Sequence, residues 1–225
     1  CTPASPAFTP LPPVLEPGNP MPEPLRSVAI FDLGRVLIDW NPRYLYRKLF
    51  AGDDAAMEWF LAEVCSMSWI EAQDEGRSYA EGTAVLKAAH PRLAPMIDAF
   101  IERWEEMMAG PIDGTVEILA ELKARRTRLY ALTNWSAETF PLGRRRFPFL
   151  EWFQGIVVSG EERVSKPDPR IFRILFDRYF VAPAQSVFID DNPRNVAAAT
   201  ALGLHGITFT EPALLRRELT TLGML

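Results

Sequence analysis

Asp32 ends the short apolar run Val28-Ala29-Ile30-Phe31 and is followed at once by Leu33-Gly34-Arg35. A carboxylate placed at the end of a buried segment, beside a glycine turn, can serve as a nucleophile or a metal ligand, or simply as a turn or helix-cap residue. Three other places fall at or just beyond the end of an apolar run. Leu132-Thr133-Asn134 puts a hydroxyl and a carboxamide after an apolar run, groups that bind an oxyanion or make an ordinary turn. Ser165-Lys166-Pro167 holds a lysine whose following proline keeps it out of a helix, so its charge can be fixed against an anion or left on the surface. Phe188-Ile189-Asp190-Asp191 ends a run with two adjacent carboxylates. Such a pair repels itself and costs desolvation unless a cation neutralises it. A hard divalent ion does so, and magnesium is the usual partner of carboxylates with phosphate; a solvated loop is the plainer alternative.

These residues need elements to carry them. Val28–Phe31, Leu129–Leu132, Gly155–Val158, Ser186–Ile189 and Gly206–Phe209 are short, apolar and bounded by polar or glycine residues, as strands buried on both faces of a parallel sheet are. Helical segments alternate with them: Val116 to Ala124, Ile171 to Tyr179 after Pro169, and Val196 to Leu202 before the C-capping Gly203. The alternation predicts an α/β fold with a doubly wound, Rossmann-like parallel sheet. In such a sheet ligands bind at the carboxyl edge, where all four places fall. Residues 41–110 break the pattern. They hold no convincing strand, and Tyr44, Leu45, Leu49 and Phe50, Met57, Phe60, Leu61 and Val64, then Met96, Phe100, Ile101 and Trp104 recur at helical spacing. The sequence therefore predicts a core of residues 26–40 and 111–225 and an all-helical insertion, residues 41–110, after the first strand.

Residues 1–25 carry nine of the 20 prolines and read as a disordered tail, with Met21 a candidate natural start; an acylated Cys1 is the rival reading. Net charge is −5 and the isoelectric point is near 5.2, which gives no reason to expect nucleic acid as a partner. Two cysteines and two histidines offer neither a disulfide framework nor a zinc site, and Cys65 reads as a core residue. With no long apolar run and no secretory signal, the expectation is a cytoplasmic protein without a membrane partner. Oligomeric state is not legible.

Taken together, the four places resemble the four motifs of the haloacid dehalogenase-like superfamily, from Ser27 to the C-terminus. The insertion is similar to the helical cap of one of its branches. The residues around Phe31–Trp40, Leu132–Phe140 and Val158–Phe172 resemble the small sugar-phosphatase group, which includes glucose-1-phosphate phosphatases, and relatives labelled 2-haloacid dehalogenases. The resemblance implies a magnesium-dependent phosphatase acting on a small phosphorylated substrate. Asp32 would attack phosphorus and form an aspartyl-phosphate. Thr133 and Asn134 would hold phosphate oxygens, and Lys166 would offset charge. Asp32, Asp190, Asp191 and the Gly34 carbonyl would hold Mg2+.

Two positions depart from that pattern. Most phosphatases of the superfamily have a second aspartate two residues after the nucleophile, where Gly34 stands here. Either the leaving group needs little protonation or the insertion supplies another acid, with Asp39 and Asp74 the candidates. Arg35 replaces a small residue and is expected to point into the site and bind the anion. Trp40, Arg43, Trp69 and Asp74 are the expected specificity residues. Two alternatives remain: a metal-independent 2-haloacid dehalogenase, disfavoured by Asp190 and Asp191, and a binding module that has lost turnover.

Overall fold

A computed structural model describes residues 26–225; the expectations placed on residues 1–25 lie outside the described residues. In chain order its strands are β1 (Val28–Phe31), β2 (Ile38–Trp40), β3 (Met108–Pro111), β4 (Arg128–Thr133), β5 (Gly155–Val158), β6 (Ser186–Asp190) and β7 (His205–Thr208). Five of them form one parallel sheet in the order β5-β4-β1-β6-β7. The fold is the expected doubly wound α/β sheet. The predicted strands stand within one residue of their expected ends.

Period-two alternation sorts each strand between two faces. Val28, Ile30, Tyr130, Leu132 and Phe188 pack on one side with Ile171, Phe172 and Leu175. Ala29, Phe31, Leu129, Ala131, Val187 and Ile189 pack on the other with Ile118, Leu119, Leu122, Leu215 and Leu219. Burial on both faces is why these strands read as unbroken apolar runs.

Between β2 and β3 the chain runs through α1 (Arg43–Leu49), α2 (Asp54–Glu63), α3 (Met67–Asp74), α4 (Tyr79–Ala89) and α5 (Ala94–Glu102). Their apolar faces share an aromatic centre: Phe100 lies 5.0 Å from Trp69 and 6.0 Å from Tyr79, and Tyr46 lies 4.9 Å from Phe60. Cys65 is buried there as a free thiol. Ser66 caps α3, and Ser78 with Glu81 forms a capping box that starts α4. The expectation of no strand within residues 41–110 needs correction. β3 pairs antiparallel with β2 and ties the two ends of the insertion together, with further backbone bonds from Asn41 to Met107 and from Ile112 to Leu37. Met-Ala-Gly-Pro has weak strand propensity, and its partner lies some 70 residues away in sequence, so no local signal marks it.

The remaining helices are α6 (Asp113–Ala124), α7 (Phe140–Arg146), α8 (Ser159–Glu162), α9 (Pro169–Tyr179), α10 (Pro193–Ala201) and α11 (Pro212–Thr221). Three open on proline, which suits the first turn because its missing N–H has no partner there. Gly203 follows α10 with φ +91°, as expected for a residue that must leave the helix left-handed. No helix of the described residues is long and apolar enough to cross a membrane.

Candidate active site

Because β1, β4 and β6 are adjacent and parallel, their carboxyl ends bring Asp32, Thr133 and Asp190 to one edge. Lys166, in the segment between α8 and α9, inserts its ammonium between two of them. Its Nζ stands 2.9 Å from Asp32 Oδ1 and 2.7 Å from Asp190 Oδ2. All three are buried, with exposures of 3 %, 9 % and 0 % for Lys166, Asp32 and Asp190. Burial pulls the Lys166 pKa down, but Asp32 and Asp190 outweigh it and hold the lysine charged. Burial also pushes the Asp32 carboxyl up to about 7, opposed by Lys166 and assisted by the charge of Asp190.

Asp190 is held from three directions. Besides Lys166, the Asn192 N–H donates to its Oδ1 at 2.8 Å, and Asn195 Nδ2 donates to both carboxylate oxygens at 3.1 Å. Sequence reasoning passed over Asn195; a carboxamide in the first turns of the otherwise alanine-rich α10 was the available signal. Its Oδ1 is buried and has no hydrogen-bond partner. Asp191 completes an acidic trio whose candidate ligand oxygens, one each from Asp32, Asp190 and Asp191, all lie within 4.8 Å of one another. Its carboxyl is pushed up by burial and by Asp190, against the pull of Arg35.

Two of the expected anion contacts have protein partners in the structure. Asn134 was expected to hold phosphate. Instead Lys166 N–H donates to its Oδ1 at 2.8 Å and its Nδ2 donates to the Lys166 carbonyl at 3.0 Å. Both ends of the carboxamide thus fix the lysine backbone, leaving one Nδ2 hydrogen for a ligand. The Lys166–Pro167 peptide is cis. Arg35 was expected to bind an anion inside the site. It sits at φ +60° in the turn after β1, and its Nε pairs with Asp191 Oδ2 at 3.3 Å while the side chain stays 69 % exposed. With three carboxylates below it, the nearest electrostatic minimum is a carboxylate. Thr133 is buried at the end of β4, opposite Val158. A Cβ at Gly34 would meet nothing within 4 Å, so packing does not demand the glycine.

A cavity of about 380 Å³ reaches Asp32 and Asp191 of the trio. Asp32, Gly34, Arg35, Asn134, Asp191 and Asn195 line its floor and rim. Ile38, Trp40 and Trp135 also line it, and Met67, Ile70, Glu71, Asp74, Tyr79 and Trp104 come from the insertion. Of the expected specificity residues, Trp40 and Asp74 reach it, and Trp40 Nε1 is a buried donor without a partner. Trp69 is buried beside it, with its indole N–H donating to the Gly82 carbonyl at 3.1 Å. Arg43 turns outward into an exposed ion pair with Glu58. Asp39 accepts from Tyr44 Oη at 2.8 Å and is not among the lining residues.

The insertion is docked over the site by polar contacts as well as by packing. Ser165 Oγ donates to Glu75 Oε1 at 2.6 Å, and the Tyr79 N–H donates to Glu138 Oε1 at 2.8 Å. Burial raises the Asp74 carboxyl to about 7, against the pull of the Ser136 backbone. Glu71, Asp32 and Glu75 raise it further.

Comparison with known proteins agrees with this geometry. Residues 61–209 match the family model described as haloacid dehalogenase-like hydrolase. A sesquiterpene phosphatase of Aspergillus oryzae is 26 % identical over 82 % of this chain and 90 % of its own length. A phosphorylated carbohydrates phosphatase of Thermotoga maritima is 32 % identical over 80 % of this chain and 83 % of its own. Among solved structures, an enzyme of the same family from Bacteroides thetaiotaomicron, in complex with magnesium and inorganic phosphate, superposes with a TM-score of 0.62. It is 23 % identical and covers 82 % of this chain and 94 % of its own, a likeness of fold. A parallel sheet with an acidic trio and a buried lysine at its carboxyl edge, matched over well more than half of the chain by one family model, makes this protein an enzyme of the haloacid dehalogenase-like hydrolase family.

Proposed function

We propose that the protein is a magnesium-dependent phosphatase that hydrolyses a small phosphate monoester through an aspartyl-phosphate on Asp32. The observation that carries this reading is Lys166, clamped between Asp32 and Asp190 with Asp191 alongside. Three carboxylates face two cations, Lys166 and Arg35, so the site has room for further positive charge. The donor set fits a hard divalent ion: carboxylate oxygens and, close by, the orphaned acceptor Asn195 Oδ1. Asp32, Asp190, Asp191 and the Gly34 carbonyl would hold it. When bound, magnesium would neutralise charge on the phosphoryl oxygens.

The chain's own residues supply the rest. Asp32, aligned by the Leu33 N–H at 2.7 Å, presents a free oxygen to phosphorus. Lys166 lowers the repulsion between that carboxylate and the phosphoryl group. Asn134 holds Lys166 in register, and its remaining hydrogen, with Thr133, would meet phosphate oxygens. Arg35 would turn from Asp191 to the anion once that carboxylate is otherwise neutralised. Residues 41–110 would act as a cap that excludes water from a core of residues 26–40 and 111–225. The aromatic and apolar sides of the cavity favour esters whose alcohol carries apolar or ring surface over highly polar ones.

A panel of sugar, prenyl and aryl phosphates, assayed for phosphate release with magnesium or with chelator, tests the reading. Turnover should require magnesium and vanish in Asp32→Asn; turnover surviving in that variant would sink it. The 2-haloacid dehalogenase reading, with Asp32 attacking carbon, keeps Asp190 as the partner of Lys166 but leaves Asp191 without a use. Chloride release from 2-chloropropionate in chelator would favour it instead.

A further inference from the structure

We propose that Asp74, on the insertion, is the general acid–base of the reaction, standing in for the carboxylate that Gly34 lacks. The proposal rests on the phosphatase reading above. Three observations carry it. Asp74 ends α3 and lines the same cavity as Asp32, Gly34 and Asp191, so one small substrate bound there meets both carboxyls. The stretch around it is held to the core by Ser165 Oγ, which donates to the neighbouring Glu75, and by the Tyr79 N–H, which donates to Glu138. The other candidate, Asp39, is spent on Tyr44 and lies off the cavity. Burial, with the charges of Glu71, Asp32 and Glu75, keeps a proton on Asp74 near neutrality, the state a leaving oxygen requires.

The steps balance. As an Asp32 oxygen bonds to phosphorus, the bond from phosphorus to the ester oxygen breaks and its electron pair moves to that oxygen. The oxygen takes the Asp74 proton and leaves as the alcohol. The Asp74 carboxylate then takes a proton from water as the water oxygen attacks phosphorus. The bond to Asp32 breaks, inorganic phosphate departs, and Asp74 is protonated again. Because α3 belongs to the insertion, the acid is present only while the insertion is docked on the core.

The test compares kcat/KM, which reports the first phosphoryl transfer, on an alkyl phosphate and on p-nitrophenyl phosphate. The first alcohol is a poor leaving group; nitrophenolate departs without a proton. Asp74→Asn keeps the shape of the side chain and should lose about 10²- to 10³-fold on the alkyl ester. On the nitrophenyl ester its loss should stay within about tenfold. Asp74→Glu should recover part of the alkyl-ester rate. Equal losses on both esters, or no loss on the alkyl ester, would overturn the proposal. Should Asp74→Asn not fold, wild-type kcat/KM across leaving alcohols of increasing basicity decides: a shallow dependence supports an acid at the leaving oxygen, and a steep one removes it. If wild type hydrolyses neither ester, the phosphatase reading itself fails; if it hydrolyses both and Asp74 is indifferent, only this proposal does.

Discussion

Lys166 is one charge shared by two carboxylates, all three of them buried. Breaking a buried ion pair by removing one partner typically costs about 3–5 kcal/mol, because the other partner is left charged and unsolvated. Lys166→Met keeps the length and apolar stem but leaves Asp32 and Asp190 facing each other. We expect its melting temperature to fall by several degrees, and magnesium to raise it more than it raises that of wild type. Thermal denaturation with chelator and with magnesium checks this; equal magnesium shifts in both proteins would argue that no ion sits at the trio. Asp32, Asp190 and Asp191 were legible in the sequence because they end recognisable apolar runs, and Lys166 because the following Pro167 keeps it out of a helix. Their supports were less so. Asn134 reads like an anion ligand, yet both polar atoms hold Lys166. Arg35 pairs with Asp191, a partner 156 residues away that only the adjacency of β1 and β6 reveals.

At the scale of elements, sheet and insertion stand on different signals. The strands are short, but burial on both faces makes them continuous apolar runs, so their limits were readable to about one residue. The helices of the insertion carry a clear periodicity, while the β2–β3 pair that anchors them is nonlocal and poor in strand-formers, and was missed. Which insertion residues line the site was also unreadable, since the same spacing serves core and cavity alike: Trp69 is turned to the core, and Tyr79 to the cavity. Phe100 on α5 lies behind both. Replacing such a buried ring by alanine costs about 3–5 kcal/mol. Phe100→Ala should therefore loosen the wall carrying Tyr79 and Asp74 more than it disturbs the sheet. We expect a lower melting temperature and a raised KM for substrates filling the cavity, with the parallel sheet retained in circular dichroism at ambient temperature. An unchanged KM would separate this wall from substrate binding.

Across the whole molecule, docking the insertion on the core leaves Asp74 partly buried, and that desolvation has a thermodynamic signature independent of catalysis. The folded protein keeps the Asp74 proton to about pH 7, whereas the unfolded chain releases it near the ordinary value of 3.8. Between these values the folded state binds more protons than the unfolded one, so stability falls as pH rises. The contribution is full below about pH 3.8, declines through the acid range and is gone above about pH 7. Asp32, also raised to about 7, adds a slope of the same sign in wild type and in any variant that retains it. Asp74→Asn removes only its own part. The melting temperature of the variant minus that of wild type, measured in chelator, should grow steadily from about pH 4 to about pH 7 and then level. A difference that does not change with pH would mean that Asp74 titrates as an ordinary solvated carboxylate, and that the insertion does not enclose it in solution.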